Sequence, residues 1–347
     1  MRTRAPAVVS LLAVASFGLT SCADLGGLDL SAVGDEGKKT YVKLALNQAE
    51  THPSYIALEN LSNRFEEETD GRWKIEVFPN EQLGSQQEVL QFVKSGAIEM
   101  AIVSGTQLEN MNKDFQVLNM PTTFGSIEHQ MNVVRDQDLM APLFESLSGS
   151  DNITVIGGFT QGTRNLYATD TKVVTPEDLA GKKIRVQESA MHIRMIELMG
   201  GSATPLSYGE VYTAMQSGVL DGAENNEVSY VTQNHNEVAP FHSNTEHLVG
   251  LDYMVMRHDL LEAMDDADRE LFLEQWDEAM TEHTDLWNSE TDAAIERAKA
   301  AGAEFIQVDR AAFDAALAPI KDEFLTNDFQ RDLYDAVRAA DDEEAAS

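Results

Sequence analysis

Hydrophobic and polar residues recur along the chain at spacings that predict strands and helices in turn. TYVKLALNQ (40–48) and WKIEVFPN (73–80) resemble strands, and the segment between them has apolar residues at helical spacing until Gly71. A second helical segment leads into IEMAIVS (98–104), an apolar strand. Strands and helices in this order predict a parallel α/β unit.

A comparable series begins with a strand predicted at ITVIGGF (153–159). It continues with the strand GKKIRVQE (181–188), the helix SAMHIRMIELMG (189–200) and the strand VLDGAEN (219–225). Residues 265–301 then have a helical pattern without an internal proline or glycine. That length predicts either one helix that spans two lobes or two abutting helices.

Two stretches of the chain repeat one another. Residues 88–101 and 210–223 share the pattern E-V, five residues, then S-G-x, Ile or Leu, an acidic residue, x and Ala, where x is any residue. We interpret each as a crossover helix that ends at a glycine, Gly96 or Gly218, and feeds a parallel strand, with chance similarity as the alternative. These strands end at Ser104 and Asn225. Because ligands bind beyond the carboxyl ends of parallel strands, both ends are expected to face a cleft.

The N-terminus has the layout of a secretory signal. Two arginines precede an apolar run that is too short to span a bilayer, and small residues lead to Cys22, the only cysteine of the chain. LTSC resembles the bacterial lipoprotein box, which predicts a signal peptide over residues 1–21 and a lipidated tether over 22–39. The alternative for Cys22 is a buried or stray thiol. A single cysteine excludes an internal disulfide.

Composition narrows the choice of partners. The formal net charge is −34, from 25 basic and 59 acidic residues. Such a surface repels nucleic acid and anionic lipid, and it is typical of a protein kept soluble in a variable exterior. If the ligand is an anion, a local basic site has to overcome this field.

Signatures of catalysis, cofactors and metals are missing from the sequence. There is no G-x-S-x-G, no phosphate-binding glycine loop, no G-x-G-x-x-G and no H-E-x-x-H. His235, His242 and His247 are near one another but are not at ligand spacing, so we expect loop or surface histidines rather than a metal site. We therefore predict neither a cofactor nor a metal.

Two arginines are candidates for an anion site. Arg185 lies within the predicted strand KIRVQ between two apolar neighbours, so it points either to solvent or into a site. Arg164 is expected just after the strand that ends at Phe159. A guanidinium in a cleft is suited to hold a carboxylate through two parallel hydrogen bonds. Asn225 and Asn226 could add amide groups there, or could be turn residues.

Several longer segments together resemble a known family. They are HPSYIALENLSNRFEEETDGR, VFPNEQLGSQQEVLQFVKSGAIEMAIVS, DLAGKKIRVQES and GGSATPLSYGEVYTAMQSGVLDGAENN, followed by the helix into AGAEFIQVD. This combination is similar to the extracytoplasmic solute-binding proteins of tripartite ATP-independent periplasmic (TRAP) transporters, of the DctP-like type. The similarity covers nearly the whole chain after the signal.

The resemblance implies roles for particular residues. Arg185 matches the arginine that fixes the ligand carboxylate in the family, Arg164 a second arginine that assists it, and Asn225 an asparagine of the same pocket. Ser104 falls where some members carry a side chain that meets the far end of the ligand. Weaker candidates for contacts with ligand hydroxyls are His52, Glu88, Gln187, Tyr208 and Asn226.

The same resemblance implies a two-lobe, periplasmic-binding-protein-like α/β fold with parallel-rich sheets, a long interlobe helix and a ligand cleft at the hinge. We expect the following division: lobe I from residues 40–162 with 251–290, lobe II from 163–250 with 291–340, and an acidic tail at 341–347.

The implied function is non-enzymatic capture of an organic acid and its delivery to the membrane subunits of a TRAP transporter. The run GEVYTAMQSGVLDGAENN looks most like members that bind hexuronates or related sugar acids, and a C4-dicarboxylate or another monocarboxylate is the alternative. An enzyme that modifies sugar acids and a sensory surface module are the rivals from other classes. The protein is expected to be a monomer held outside the cell membrane by its lipid.

Overall fold

The computed structural model describes residues 28, 30, 33 and 39–346, with side chains to residue 340. The strands form one continuous mixed sheet, in the order β2-β1-β3-β8-β4-β7-β5-β6 with β9 beside β8. Their bounds are β1 (Thr40–Ala45), β2 (Trp73–Phe78), β3 (Met100–Ser104), β4 (Ile153–Ala168), β5 (Lys183–Val186), β6 (Ser202–Pro205), β7 (Gly222–Asn225), β8 (Phe241–Arg257) and β9 (Glu304–Ile306).

Helices cover this sheet and connect its strands. Their bounds are α1 (Pro53–Glu68), α2 (Gln86–Ser95), α3 (Gly105–Leu108), α4 (Ile127–Arg135), α5 (Gln137–Phe144), α6 (Ser148–Asp151), α7 (Ala190–Leu198), α8 (Val211–Gln216), α9 (Glu227–Thr232), α10 (His235–Val238), α11 (His258–Ala263), α12 (Asp266–Ala300), α13 (Arg310–Leu317), α14 (Pro319–Phe324) and α15 (Asp328–Ala346). Short 3-10 turns lie at Lys113–Asn119, Pro176–Leu179 and Tyr208–Glu210.

The repeated stretches have the structure that the sequence predicts. α2 ends at Gly96 with φ 83°, and α8 is followed by Gly218 with φ 73°, both in the left-handed region that glycine adopts easily. β3 then pairs parallel with β1, and β7 parallel with β5. Ser104 and Asn225 are the last residues of these strands.

The second series is not wholly parallel. β4 pairs antiparallel with both β7 and β8, so the expected parallel strand at 153–159 was wrong in direction. It was also too short, since β4 continues to Ala168 through register shifts, and Arg164 therefore lies inside the strand rather than after it. An extra residue at a bulge interrupts the alternation of inward and outward side chains, so the pattern changes near Thr160 although the strand continues.

β8 was missed altogether, because its first half, FHSNTEHL, reads as a polar loop. In the structure this half of β8 lies beside β4 and β9. His242 and His247 lie in it and His235 lies in α10, and the predicted loop or surface position of these three histidines was wrong. His235, His242 and His247 are at most 2% exposed. Burial lowers the pKa of His235 to about 3 and that of His242 to about 4, so both are neutral at physiological pH.

The long helical pattern is a single helix, α12, as one of the two alternatives predicted. Asp265 caps it by accepting a hydrogen bond from the backbone N–H of Asp268 at 2.9 Å. Trp287 of α12 is buried against β4 at Gly162, where a Cβ atom would lie 2.5 Å from the indole nitrogen. Gly162 (φ 56°) thus permits helix and strand to approach closely.

The chain ends differ partly from expectation. Leu28, Leu30 and Val33, within the predicted tether, are partly buried against the main hydrophobic cluster, and α15 continues to Ala346 through most of the predicted acidic tail. The predicted signal peptide and Cys22 lie outside the described residues. In the described part of the chain, no helix combines the length and the apolar character needed to cross a membrane.

Candidate functional site

A polar cavity lies where β3, β4, β5, β7 and β8 meet. It has an empty volume of about 280 Å³, and an adjoining hollow of about 260 Å³ shares four of its residues. Six of the nine predicted ligand-binding residues therefore come together here from distant parts of the chain. The residues that line the cavity are Asn47, Gln48, Gln86, Ser104, Gln161, Arg164, Arg185, Gln187, Tyr208, Asn225 and Asp252.

Arg185 is a buried cation with unused donors. It is 3% exposed, so of the two orientations left open by the sequence, the structure has the inward one. Its Nε donates to the carbonyl of Leu206 at 2.8 Å, and its guanidinium lies 5.8 Å from the ring centre of Tyr208. Within the described residues no carboxylate lies within ion-pair distance of it. Burial lowers the pKa of Arg185, with Glu224 acting against this, and an anion in the cavity would complete its hydrogen bonds.

Arg164, in contrast, already has its partner. Its Nε and one terminal nitrogen donate to the two carboxylate oxygens of Glu224 at 2.6 and 2.7 Å. Burial alone would raise the pKa of Glu224, but Arg164, with ring nitrogens of His192 and His247 at 3.8 and 3.4 Å, holds that pKa well below its usual range. Because this pair is neutral overall, it orders the site more than it attracts an anion.

Asn225 is oriented by the same network. Its side-chain oxygen accepts from Arg164 at 2.8 Å and from the backbone and side-chain nitrogens of Asn226 at 2.9 and 3.1 Å. With the oxygen so occupied, the amide nitrogen of Asn225 is the group left to donate into the cavity.

Polar contacts cross the cavity between the predicted lobes. Gln187 accepts a hydrogen bond from the hydroxyl of Thr106, and the side-chain nitrogen of Asn110 donates to the carbonyl of Glu188 at 2.7 Å. On the other side, Glu81 accepts from the backbone N–H of Gly209 at 3.2 Å. These contacts join residues assigned to different predicted lobes.

Three of the predicted residues are not among those that line the cavity. Glu88 forms a capping box with Ser85 at the start of α2. His52 caps α1 and packs against Trp287 at 5.7 Å between ring centres, and burial lowers its pKa to about 3. Asn226 caps α9 and reaches the site only through Asn225.

The sequence reasoning missed several residues of the cavity. Asn47 and Gln48 lie two and three residues beyond the end of β1 at Ala45, near the same edge of the sheet as Ser104 at the end of β3, so the strand-end rule could have found them. Gln161 and Asp252 lie on β4 and β8, and no signal marked them because those strands were mispredicted. Glu224 was passed over as part of a strand.

Two larger hollows lie on the outer side of α12. One, of about 1000 Å³, is lined mainly by acidic and polar side chains such as Asp277, Glu278 and Glu282. The other, of about 1060 Å³, is mainly apolar. Both are open to solvent, and neither presents a buried cation. Over the described residues no group of three or more His, Cys, Asp or Glu side chains could hold a metal ion.

Comparison with known proteins places this geometry in a family. The sequence model described as bacterial extracellular solute-binding protein, family 7, matches residues 44–328. The chain belongs to this family. A solute-binding protein from Chromohalobacter salexigens is 33% identical to this family 7 protein over 276 residues, which cover 79% of this chain and 82% of the relative.

Solved structures of family 7 proteins have the same fold. A TRAP periplasmic solute-binding protein from Anaerococcus prevotii, with bound D-glucuronate, is 35% identical with a TM-score of 0.84, over 88% of this chain and 99% of the other. One from Xanthobacter autotrophicus, with bound β-D-galacturonate, is 30% identical with a TM-score of 0.82, over 86% and 99%. The resemblance to TRAP solute-binding proteins and the periplasmic-binding-protein-like α/β fold are thereby confirmed.

Proposed function

We propose that this family 7 protein captures a hexuronate through its carboxylate and delivers it to the membrane subunits of a TRAP transporter. The observation that carries the proposal is Arg185, a buried guanidinium with unused donors in a polar cavity. A planar carboxylate matches the two parallel hydrogen bonds that such a fork can make. Arg185 also supplies the local positive charge that an anion needs on a chain of net charge −34.

The solute class rests on the similar proteins and on the polarity of the cavity. The structures from A. prevotii and X. autotrophicus hold D-glucuronate and D-galacturonate. In the present protein, amide side chains of Asn47, Gln48 and Gln187 surround the arginine, and these suit a polyhydroxylated acid better than a short diacid.

A thermal-shift screen tests this function directly. D-glucuronate or D-galacturonate is expected to raise the unfolding temperature, because a ligand that binds only the folded state stabilises it by about 2.7 kcal/mol at a hundredfold excess over Kd. C4-dicarboxylates, keto acids, aldonates and sialic acid form the rest of the panel. A shift with C4-dicarboxylates alone would retain transport but overturn the hexuronate, and no shift with any acid would contradict solute capture.

We further propose that the protein binds its solute without changing it. The cavity contains no nucleophile paired with a base, which an enzyme acting on sugar acids would require. Incubation with D-glucuronate followed by NMR of the released solute is expected to show the starting compound alone. A new product would favour the enzyme.

We propose that the two lobes close over the solute and that hydrogen bonds across the cleft hold them closed. Asn110→Ala removes a hydrogen bond across the cleft and is expected to weaken hexuronate binding about two- to tenfold, mainly through faster dissociation, since such a bond contributes about 0.5–1.5 kcal/mol. Surface plasmon resonance would measure the rates. Asn112→Ala is the control, because its side chain contacts Ser146 within the same proposed lobe at 2.9 Å. Equal dissociation rates for the two variants would contradict this role.

The family is extracellular, and a lipid anchor would hold the protein at the cell membrane. We infer that Cys22 carries a lipid that holds a monomer at the outer face of the cell membrane. Expression in a bacterial host should place the protein in the membrane fraction, and Cys22→Ser should release it from that fraction. Unchanged membrane association of the variant would contradict the anchor.

A further inference from the structure

Asp252 lines the same cavity as Arg185 but is not part of the ion pair described above. It lies in the middle of β8, opposite Ser104 of β3 and Phe159 of β4. The residue is 5% exposed. Within the described residues its carboxylate has neither a hydrogen bond nor an ion pair, so a buried acceptor faces the cavity without a partner.

Other acceptors beside it are also unsatisfied. The side-chain oxygens of Asn47, Gln48 and Gln161 are buried and, over the part of the chain that the structure describes, have no hydrogen-bond partner. Each buried acceptor left unpaired costs about 1–3 kcal/mol. A ligand that brings hydrogen donors to this end of the cavity removes that cost, whereas a carboxylate brings none.

The charges around Asp252 come from the strands beside it. Burial raises its pKa to about 7, and Arg164 on β4 opposes this. Arg164 is already paired with Glu224, so it does not neutralise a further anion at this end. Arg185 on β5 lies in the same cavity, and Glu81, in the adjoining hollow, also has a pKa raised by burial.

We propose that Asp252 determines specificity by accepting a hydroxyl hydrogen of the bound sugar acid and by excluding a ligand with a second carboxylate at that end. This inference rests on the proposed hexuronate function. A hexarate has the carbon skeleton of a hexuronate but carries a carboxylate at both ends, and only one of these can pair with Arg185. The second then meets Asp252 and a set of unpaired oxygens.

Isothermal titration calorimetry with D-glucuronate and D-glucarate tests the assignment. For the unaltered protein, the preference for D-glucuronate is expected to be at least about tenfold greater at about pH 8.5 than at about pH 5.5, because a raised pKa leaves Asp252 ionised only at the higher pH. In Asp252→Asn the preference should be small and equal at both pH values. This comparison separates Asp252 from Glu81, which remains in the variant.

Glu227→Gln is the matched control. Burial raises the pKa of Glu227 to about 7 as well, but its carboxylate contacts Asn165 and does not line the cavity. This variant should keep the pH-dependent preference of the unaltered protein. If Glu227→Gln abolished the preference as Asp252→Asn does, a general effect of buried charge would replace the assignment.

The remaining outcomes separate the two proposals. Suppose that the unaltered protein binds D-glucuronate and that Asp252→Asn rejects D-glucarate as strongly as the unaltered protein does at both pH values. Asp252 is then not the specificity residue, and the hexuronate function stands. If D-glucuronate does not bind at all, both proposals fail.

Stability provides a check that the variant folds. Because the pKa of Asp252 is raised in the folded state, its contribution to stability is present below about pH 4 and is lost as pH rises through about 7. At about pH 8.5, Asp252→Asn should therefore unfold at a temperature no lower than the unaltered protein. Should it nevertheless fail to fold, Glu81→Gln replaces it: a pH-dependent preference retained in that variant excludes Glu81 as the source, and its loss would overturn the assignment to Asp252.

Discussion

Replacement of Arg185 by alanine is expected to reduce hexuronate affinity by about 2–5 kcal/mol, or about 30-fold or more, because truncating one partner of a buried charge pair has that cost. Calorimetry with D-glucuronate measures the change. Without ligand, Arg185 has no carboxylate partner within ion-pair distance among the described residues, so its removal takes away a desolvated charge and no ion pair. The unfolding temperature of the ligand-free variant should be unchanged or higher.

Arg185→Lys sharpens this test. Lysine keeps the positive charge but lacks the planar fork, so the variant should bind more weakly than the unaltered protein and more tightly than Arg185→Ala. Unaltered affinity of Arg185→Ala would contradict the carboxylate clamp. Loss of affinity accompanied by unfolding of the ligand-free protein would show that Arg185 is a structural residue instead.

Glu224→Gln, unlike Arg185→Ala, is expected to lower the stability of the ligand-free protein. It leaves Arg164 buried without a charged partner, and breaking a buried pair in this way costs about 3–5 kcal/mol of stability. The oxygens of Glu224 also contact His192 and His247 at 3.8 and 3.4 Å, so one substitution disturbs the whole network behind the cavity. Denaturant unfolding of the ligand-free protein measures the loss, which is large against a typical total of about 5–15 kcal/mol.

Two further variants test the interpretation of Glu224. Glu227→Gln removes a half-buried carboxylate that forms no ion pair within the described residues, and it should cost much less. Arg164→Met combined with Glu224→Gln removes both charges and should restore part of the stability. If the double variant were no more stable than Glu224→Gln alone, the unpaired Arg164 would not be the cause of the loss.

The parts of the fold predicted from sequence are those with local signals. The crossover helices ending at Gly96 and Gly218 and the uninterrupted length of α12 depend on residues near one another in the chain. The apolar neighbours of Arg185 marked it as a candidate, although they could not give its direction. The direction of the Arg185 side chain depends on which elements pack on each face of β5, and these are distant in sequence.

The parts that could not be predicted depend on residues distant in sequence. β8 has polar residues because Glu224 and Tyr167 hold its histidines from other strands, so its first half lacks strand periodicity. Asp252 is adjacent to Ser104 only through the pairing of β8 with β3. Arg164 was predicted to follow the strand because the strand pattern of β4 changes after Phe159. The strand in fact continues through bulges to Ala168.

The central position of β8 also bears on the order in which the chain can fold. β3 and β4 are both complete by Ala168, yet each pairs with β8, which ends at Arg257. During synthesis from the N-terminus, the edges of β3 and β4 that will pair with β8 therefore stay unpaired until most of the chain has been made. Unpaired strand edges promote aggregation. Fragments that end before β8 therefore lack the strand that joins the two halves of the sheet.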